Sequence, residues 1–319
     1  MADRIDGTVW QANAGKTVLE WGRREPVPGN CLKFSRIREV DAAFDISKIQ
    51  ICLPTLGTET YFKAGQYIEV KTGEYFVLNR GQEARAAIRR PTPVEGFCIF
   101  LTEETLAEVY AAANTSTDRL LDMPDSKPRQ HFEFLEKNFS LRENVLGACL
   151  QNVKQQLCMP GKDKLMDWDR FYFNLAESLL DTKKLINHQL ETIPAAKFAT
   201  RQEIFRRISQ ARNYILEQYA QPLALEEIAR VAHFSAYHTA RLYHAVYGIT
   251  PHQHILQLRI QRAMELLRQN ISPTEAAYLL SFSDRRAFAK VFKKITGVSP
   301  AHFQQSSPSA PVPMRIFRA

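Results

Sequence analysis

The sequence predicts an α+β protein of more than one domain, with a β-rich amino-terminal part and an all-α carboxyl-terminal part. Short runs of β-branched and aromatic residues, separated by glycine and proline, fill the first hundred residues. A degenerate repeat of short helical units occupies the last third of the chain. At 319 residues, the chain is long enough for two domains that each bury a core.

The β-rich part is indicated by four short runs at a spacing of about ten residues. These runs are Ile49–Leu53, Tyr67–Val70, Glu74–Leu78 and Phe97–Phe100. We expect the strands to be separated by glycine and proline, at Pro54, Gly65, Gly73, Gly81 and Pro93. Short and evenly spaced strands favour a sandwich or barrel of the jelly-roll type.

Helical periodicity replaces the strand pattern after Leu101. Thr102 fits a helix N-cap, because Glu103 and Glu104 follow it and acidic side chains stabilise a first turn. Two longer stretches, 146–157 and 168–190, carry apolar residues at helical spacing. These helices could pack on the β-domain or pair with a second protomer, and the pattern leaves both possibilities open.

Composition sets the expected domain boundaries. Pro194 and small neighbouring residues indicate a linker, and Pro308, Pro311 and Pro313 indicate a poorly ordered tail. We divide the chain into a first domain, a linker, an all-helical domain and a flexible tail, at residues 1–190, 191–201, 202–305 and 306–319.

The positive charge lies on the helical domain. Residues 201–319 hold 16 Lys and Arg against 7 Asp and Glu, a net charge of +9. Residues 1–200 hold 26 against 27, a net charge of −1. A basic domain favours a polyanionic partner, and double-stranded DNA is the usual one. The alternative is a basic surface that only keeps the protein in solution.

Cysteine usage and hydropathy indicate a reducing compartment. The five cysteines are dispersed and show no Cys-x-x-Cys spacing, which argues against a disulfide framework and a structural zinc site. The first residues include Asp3 and Asp6 and lack the apolar segment of a signal peptide. No apolar run approaches the ~20 residues that span a bilayer. We therefore expect a cytoplasmic protein at the nucleoid, with no membrane contact.

The repeat has two copies with three matching parts each. The first copy contains Glu227-Ile228-Ala229, Phe234-Ser235 and Gly248-Ile249-Thr250-Pro251. The second copy contains Glu275-Ala276-Ala277, Phe282-Ser283 and Gly297-Val298-Ser299-Pro300. The offset between copies is 48 residues at the front and 49 at the back.

Each copy predicts two helices joined by a tight turn. In the first copy, the short helix 225–232 is followed by a turn at His233-Phe234 and an N-cap at Ser235. In the second copy, the short helix 273–280 precedes a turn at Ser281-Phe282 and a cap at Ser283-Asp284. In the DNA-binding form of this motif, the second helix enters the major groove.

The outward faces of the two second helices are the candidate DNA-binding residues. They are Tyr237, His238, Ala240, Arg241 and His244 in the first copy, and Arg285, Arg286, Ala289, Lys290 and Lys293 in the second. Arginine can read guanine through two hydrogen bonds, whereas lysines such as Lys293 and Lys294 more often contact phosphate. A solvated charged face is the alternative interpretation.

A connecting helix is predicted between the copies, over residues 252–269. Its 18 residues span about 27 Å at the helical rise of 1.5 Å per residue. One turn of DNA is about 34 Å, so such a rod could place both second helices in successive major-groove segments on one face.

The carboxyl-terminal pattern resembles the signature of the AraC/XylS family of bacterial transcription regulators, over residues 205–304. The matching residues are Arg259-Ile260, Ala263, Leu266-Leu267, Phe282-Ser283-Asp284, Phe288, Val291-Phe292-Lys293-Lys294, Gly297-Val298-Ser299-Pro300 and Phe303. The resemblance implies that bases are read by Tyr237, Ala240, Arg241, Arg285, Arg286 and Lys290. The family usually has a glycine before the phenylalanine of each turn. This position is His233 in the first copy and Ser281 in the second. The sequence also departs from the family at Ala276-Ala277, usually Ile-Ala, and at Arg285-Arg286, usually small or polar.

The same resemblance implies a cupin-like amino-terminal sensor with a helical dimerisation element. Residues 75–82 and 97–100 are similar to sensor domains of this family. A homodimeric activator that binds a small-molecule effector and contacts RNA polymerase is the expectation that follows. Metal-binding cupins use a His-x-His pair, and residues 1–200 contain only His131 and His188. We therefore expect no metal, no cofactor and no enzymatic activity.

Three other functions compete with an effector-controlled regulator. A DNA-repair or methyl-transfer protein could carry this DNA-binding part, but its zinc site needs clustered cysteines. A cupin enzyme would need metal ligands. A regulator controlled by a partner protein stays open. The effector-binding residues are unknown, and Trp10, Trp21 and Arg80 are candidates that more often have structural roles.

Overall fold

The computed structural model describes residues 4–13, 16–18, 29–114, 132–157 and 167–305. Packing divides the chain into two compact units, Met1–Ile186 and Asn187–Ala319. Trp21 and the expected tail at residues 306–319 lie outside the described residues. No helix among the described residues has the length and apolarity needed to cross a membrane.

The first unit is built on an antiparallel sheet that has nine strands in the described residues. In chain order they are β1 (Arg4–Asn13), β2 (Lys16–Val18), β3 (Cys31–Asp45), β4 (Ile49–Leu56), β5 (Thr58–Lys63), β6 (Gln66–Lys71), β7 (Glu74–Leu78), β8 (Glu83–Leu101) and β9 (Phe139–Ser140). The sheet order is β2-β1-β3-β8-β4-β7-β9, with β5 paired to both β6 and β8. The antiparallel β-domain confirms the predicted fold class of this part.

Two predicted strand boundaries are wrong. Strand β4 runs through Pro54, and strand β8 runs through Pro93. The ladder between β4 and β8 shifts register between Pro54 and Leu56, and the ladder between β3 and β8 shifts opposite residues 90–93. Proline lacks the N–H that a regular ladder needs, so it is tolerated at such irregular positions without ending the strand.

Strand β3 was not predicted, although it makes the longest pairing in the sheet. It pairs with β8 from Cys31 opposite Phe100 to Asp45 opposite Glu83. Its inner face contributes Ile37 and Val40 to a small apolar cluster. Its outer face carries ion pairs, such as Arg36 with Glu95 at 3.3 Å, and these charges conceal the alternation typical of a strand.

Three helices follow the sheet in the described part of this unit. They are α1 (Glu103–Asn114), α2 (Val145–Leu157) and α3 (Trp168–Glu191). The backbone N–H of Thr105 donates to Thr102 Oγ1 at 3.2 Å, which confirms the predicted cap of α1. Helix α2 is tied to α3 because Leu146 N donates to Thr182 Oγ1 at 3.2 Å. The two helices therefore contact each other.

The second unit is all-helical in its described residues, which confirms the other half of the predicted fold class. Its helices are α4 (Phe198–Gln218), α5 (Leu225–Ala232), α6 (Ala236–Tyr247), α7 (Pro251–Arg268), α8 (Pro273–Leu279), α9 (Arg285–Thr296) and α10 (Pro300–Gln305). The connecting helix α7 has 18 residues and agrees with its prediction to within one residue at each end. Phe288, Phe292 and Phe303 form the aromatic centre of the second core.

Candidate nucleic-acid interface

The first helix-turn-helix joins α5 to α6 through a left-handed residue. His233 has φ 53° and ψ 42°, and the following Phe234 N donates back to Ala229 O at 3.1 Å. Ser235 then caps α6, since its Oγ accepts from His238 N at 3.2 Å. The turn and cap together fix where α6 begins and in which direction it leaves the turn.

Helix α6 has one face in the core and one face in solvent. Thr239, Leu242, Tyr243 and Val246 are buried. The candidate reading residues Tyr237, His238 and Arg241 are exposed, as is His244, and Ala240 is half-buried. A tyrosine as exposed as Tyr237, at 71%, leaves a large aromatic surface uncovered in the free protein.

The second helix-turn-helix repeats this geometry with different residues. Ser281 takes the left-handed conformation at φ 51°, and Phe282 N donates to Ala277 O at 3.0 Å. Asp284 caps α9, because its Oδ1 accepts from Ala287 N at 2.8 Å. That backbone hydrogen bond also lowers the pKa of the Asp284 carboxyl from its ordinary value.

Helix α9 presents a row of cations to solvent. Arg285, Arg286, Lys290 and Lys293 are exposed, while Ala289 is half-buried. On the opposite side, Phe288, Phe292 and Ile295 are buried. None of the four cations forms a salt bridge with another residue of the described ranges. The face is therefore a cationic surface open to a ligand.

Both recognition helices end at a glycine in the left-handed conformation. Gly248 has φ 70° and Gly297 has φ 85°, values that favour glycine at a helix end. After Gly248, Thr250 caps the connecting helix α7 by accepting from Gln253 N at 3.2 Å. The segment from Gly248 to Thr250 thus fixes both the end of α6 and the start of α7.

Arg259, on α7, links the two helix-turn-helix units. Its Nε and Nη2 donate to the carbonyl oxygens of Tyr219 and Gln221, at 2.7 and 2.8 Å, in the loop before α5. Its Nη1 donates to Ser281 O at 3.0 Å, in the turn of the second helix-turn-helix. Ser281 adds a bond of its own, from Oγ to Ala220 O at 2.8 Å. The loop at residues 219–221 is therefore joined to the second turn.

Sequence reasoning missed this role of Arg259, which entered only as a matching residue of the family signature. A signal was available in the pattern of α7. Arg259 lies four residues from Ile255 and from Ala263, both of which are buried, so it falls on the inward stripe of the helix. An arginine at such a position has to find acceptors inside the domain, because burying its charge without partners is costly.

A half-buried histidine, His254, lies in the first turn of α7. The Tyr243 hydroxyl and His254 Nδ1 share a hydrogen bond of 2.5 Å. Burial, with a smaller contribution from the nearby Arg212 charge, lowers the pKa of His254 to about 4. His254 is therefore neutral at neutral pH and adds no positive charge to the helical domain.

Of the three candidate effector residues Trp10, Trp21 and Arg80, the structure describes the side chain of Arg80. Arg80 forms an ion pair with Glu103 at the start of α1, which is a structural contact. Trp10 lies on β1 and its side chain is outside the described residues, as is all of Trp21. Within the described residues, no group of three or more His, Cys, Asp or Glu side chains could hold a metal ion.

Comparison with known proteins places this helical domain in a family. The family model described as a helix-turn-helix domain matches residues 228–306. The probable transcriptional regulator LumQ of Photobacterium leiognathi is 30% identical over 93 residues, which cover 29% of this chain and 38% of LumQ. The bifunctional transcriptional activator/DNA repair enzyme AdaA of Bacillus subtilis is 34% identical over 95 residues, covering 30% of this chain and 45% of AdaA.

A solved structure gives a further likeness in the same region. The carboxyl-terminal domain of AraT, a response regulator from Geobacillus stearothermophilus, is 27% identical, with a TM-score of 0.31 over 32% of this chain and 85% of that domain. The chain spans less than half the length of LumQ and of AdaA. The carboxyl-terminal helix-turn-helix domain is thus similar to those of known transcription regulators, which supports the resemblance of this domain to the AraC/XylS family.

Proposed function

We propose that this protein is a sequence-specific regulator that binds double-stranded DNA with both helix-turn-helix units. The observation that carries the proposal is the exposed cationic face of α9, where Arg285, Arg286, Lys290 and Lys293 have no salt-bridge partner among the described residues. Arginine and lysine on one face of a recognition helix suit phosphate contacts and guanine edges.

The two units are proposed to contact DNA in different ways. Helix α6 offers one exposed arginine, Arg241, together with Tyr237 and His238, whereas α9 offers four cations. More lysine and arginine on α9 should place more of the salt-dependent affinity there. Tyr237 and Arg241 should contribute sequence preference through apolar and guanine contacts.

A selection experiment tests this proposal. The full chain is incubated with a pool of random duplex DNA at near-physiological salt, and bound sequences are amplified and read. A bipartite site whose segments lie about one helical turn apart supports the proposal. Retention without sequence preference that collapses on adding salt contradicts it, because that behaviour reflects phosphate contacts alone.

We further propose that the β-domain controls this DNA binding as the effector-binding part of a homodimer. Support comes from the order of the chain, in which an antiparallel β-domain and helices α1 to α3 precede the DNA-binding domain. Activation through RNA polymerase is proposed from the family resemblance. A screen of small molecules by thermal shift tests effector control, and recovery of regulation only with a second protein would favour control by a partner.

A further inference from the structure

Two cysteines face each other inside the β-domain. Cys52 on β4 and Cys98 on β8 are directly opposite in the antiparallel register. Gln50 Nε2 reaches both sulfurs, at 3.4 Å from Cys52 Sγ and 3.7 Å from Cys98 Sγ. Both thiols are free. The two sulfurs therefore lie in one small site and share one hydrogen-bond donor.

The backbone geometry suits a bond between these two cysteines. Directly opposed residues of an antiparallel pair have Cβ atoms about 4.5–5.5 Å apart. A disulfide needs a Cβ separation of about 3.5–4.5 Å, so an approach of about 1 Å closes the gap. Cys31 on β3 is a poorer partner, since it lies opposite Phe100 and is thus diagonal to Cys98. Diagonal neighbours are about 7–8 Å apart.

A buried carboxylate stands beside the same pair. The Tyr61 hydroxyl donates to Glu59 Oε2 at 2.8 Å, and Tyr61 belongs to the same buried cluster as Cys52. Glu59 is only 4% exposed, and burial raises the pKa of its carboxyl to about 7. A group with that pKa can accept a proton at neutral pH.

Gly96 makes room for this carboxylate. A Cβ atom built on Gly96 would lie 2.0 Å from Glu59 Oε1, so any other residue would displace the Glu59 side chain. Gly96 is two residues before Cys98 and therefore lies on the same face of β8. The Glu59 carboxylate accordingly lies over β8, on the face that carries Cys98.

The two thiols differ in their access to solvent. Cys98 is partly exposed, whereas Cys52 is fully buried. Burial also raises the pKa of the Cys52 thiol well above its ordinary value. Cys98 is therefore the thiol that a small oxidant reaches first, and Cys52 requires a base before it can react.

We propose that Cys52 and Cys98 are a modification site at which a hydroperoxide converts the dithiol into a cross-strand disulfide. The Cys98 sulfur attacks the terminal peroxide oxygen, the O–O bond breaks, and a sulfenic acid and water form when the oxidant is hydrogen peroxide. The Cys52 thiol then transfers its proton through Tyr61 to Glu59. Its sulfur displaces the hydroxyl of the sulfenic acid, and this hydroxyl takes the proton back from Glu59 and leaves as a second water. Two thiols are oxidised and one peroxide is reduced.

Peptide mapping of the oxidised full chain tests this site. The protein is treated with one equivalent of hydrogen peroxide, remaining thiols are alkylated, and peptides are identified without reduction. We expect a peptide pair joined through Cys52 and Cys98, reversed by dithiothreitol, and the same product in a Cys149→Ser control. The proposal is overturned if both cysteines remain alkylated, or if Cys98 joins Cys31 or any other cysteine.

A second measurement examines the role of Glu59. In Glu59→Gln, the peroxide step should proceed normally, while disulfide closure slows by about a hundredfold, the lower end of general-base contributions. Dimedone should then trap a sulfenic acid on Cys98 that does not accumulate in the unmodified protein. Equal trapping in both proteins would overturn the assignment of Glu59 as the base. Neither measurement requires DNA, so the result is independent of the proposed function.

Discussion

The guanidinium of Arg259 donates to Ser281 O at 3.0 Å while it also donates to Tyr219 O at 2.7 Å. One side chain of the connecting helix thereby joins the loop before the first helix-turn-helix to the turn of the second. The three acceptors of Arg259 are backbone carbonyls. The link therefore depends on the arginine and on the path of the backbone, and it does not depend on the side chains of the accepting residues.

Removing this link should destabilise the helical domain. We expect Arg259→Met to lower the free energy of unfolding by about 3 kcal/mol, because three carbonyl oxygens lose their charged donors. Arg259→Lys should recover only a small part of the lost free energy of unfolding, since an ammonium group cannot reach all three acceptors that the planar guanidinium group reaches. Native-state hydrogen exchange of the full chain, followed on peptides from residues 198–305, measures the change. A loss below about 1 kcal/mol in Arg259→Met would contradict this account.

The two left-handed turn residues should respond differently to glycine. His233→Gly should stabilise the domain by about 0.5–1 kcal/mol, because glycine takes a positive φ without steric cost. Ser281→Gly should give no net gain, since the same relief is offset by loss of the 2.8 Å bond from Ser281 Oγ to Ala220 O. Thermal unfolding of the two variants under identical conditions makes the comparison. Equal stabilisation in both would show that the Ser281 hydroxyl contributes nothing.

Arginines on the two recognition helices should carry sequence preference. Arg241→Ala and Arg286→Ala should each weaken binding to the selected DNA site by about 1–3 kcal/mol, with less discrimination at one base pair. Arg262→Ala is a matched control, because Arg262 lies on α7 and pairs with Glu265 on the surface. Fluorescence anisotropy on matched and mismatched duplexes gives both quantities. Uniform weakening on all sequences would identify phosphate contacts instead.

His254 should make the helical domain sensitive to acid. Its pKa is lowered to about 4 in the folded protein, so the unfolded chain binds a proton at higher pH than the folded one. The contribution of His254 to the free energy of unfolding is therefore fully present above pH ~6.5. It is lost as the pH falls towards 4, by up to about 3 kcal/mol. Urea unfolding of the wild type and of His254→Gln at pH 7 and pH 4.5 checks this. The variant should show a flatter profile between the two pH values, and parallel profiles would rule out His254 as the cause.

The helical domain was predictable from sequence because its signals are local. Caps, turns and apolar spacing set each helix within a few residues, so Ser235, Asp284, Gly248 and Gly297 mark real helix ends. The outward faces of α6 and α9 followed from the same periodicity. Periodicity does not predict hydrogen bonds between residues that are distant in sequence. The bonds from Arg259 to carbonyl oxygens 38 to 40 residues away are therefore not predictable in this way.

The β-domain was predictable where strands carry short runs of β-branched and aromatic residues. Strands β4 and β7 are almost completely buried, and their apolar runs were recognised. Strand β3 carries charges on its outer face, and β8 contains two prolines, so the local pattern indicated neither β3 nor the full length of β8. Pairing between them over many residues outweighs these local preferences. The apposition of Cys52 with Cys98 depends on the register between β4 and β8, and it was not accessible from spacing.

The long pairing of β3 with β8 also has a consequence for how the chain acquires its structure during synthesis. Cys31 meets Phe100 in the ladder, so the sheet cannot close until most of β8 has left the ribosome. Contacts this far apart in sequence slow folding, whereas helices that pack on their chain neighbours assemble quickly. The amino-terminal domain, although made first, should complete its folding on a slower timescale than the carboxyl-terminal helices, and unpaired strand edges are exposed during that interval.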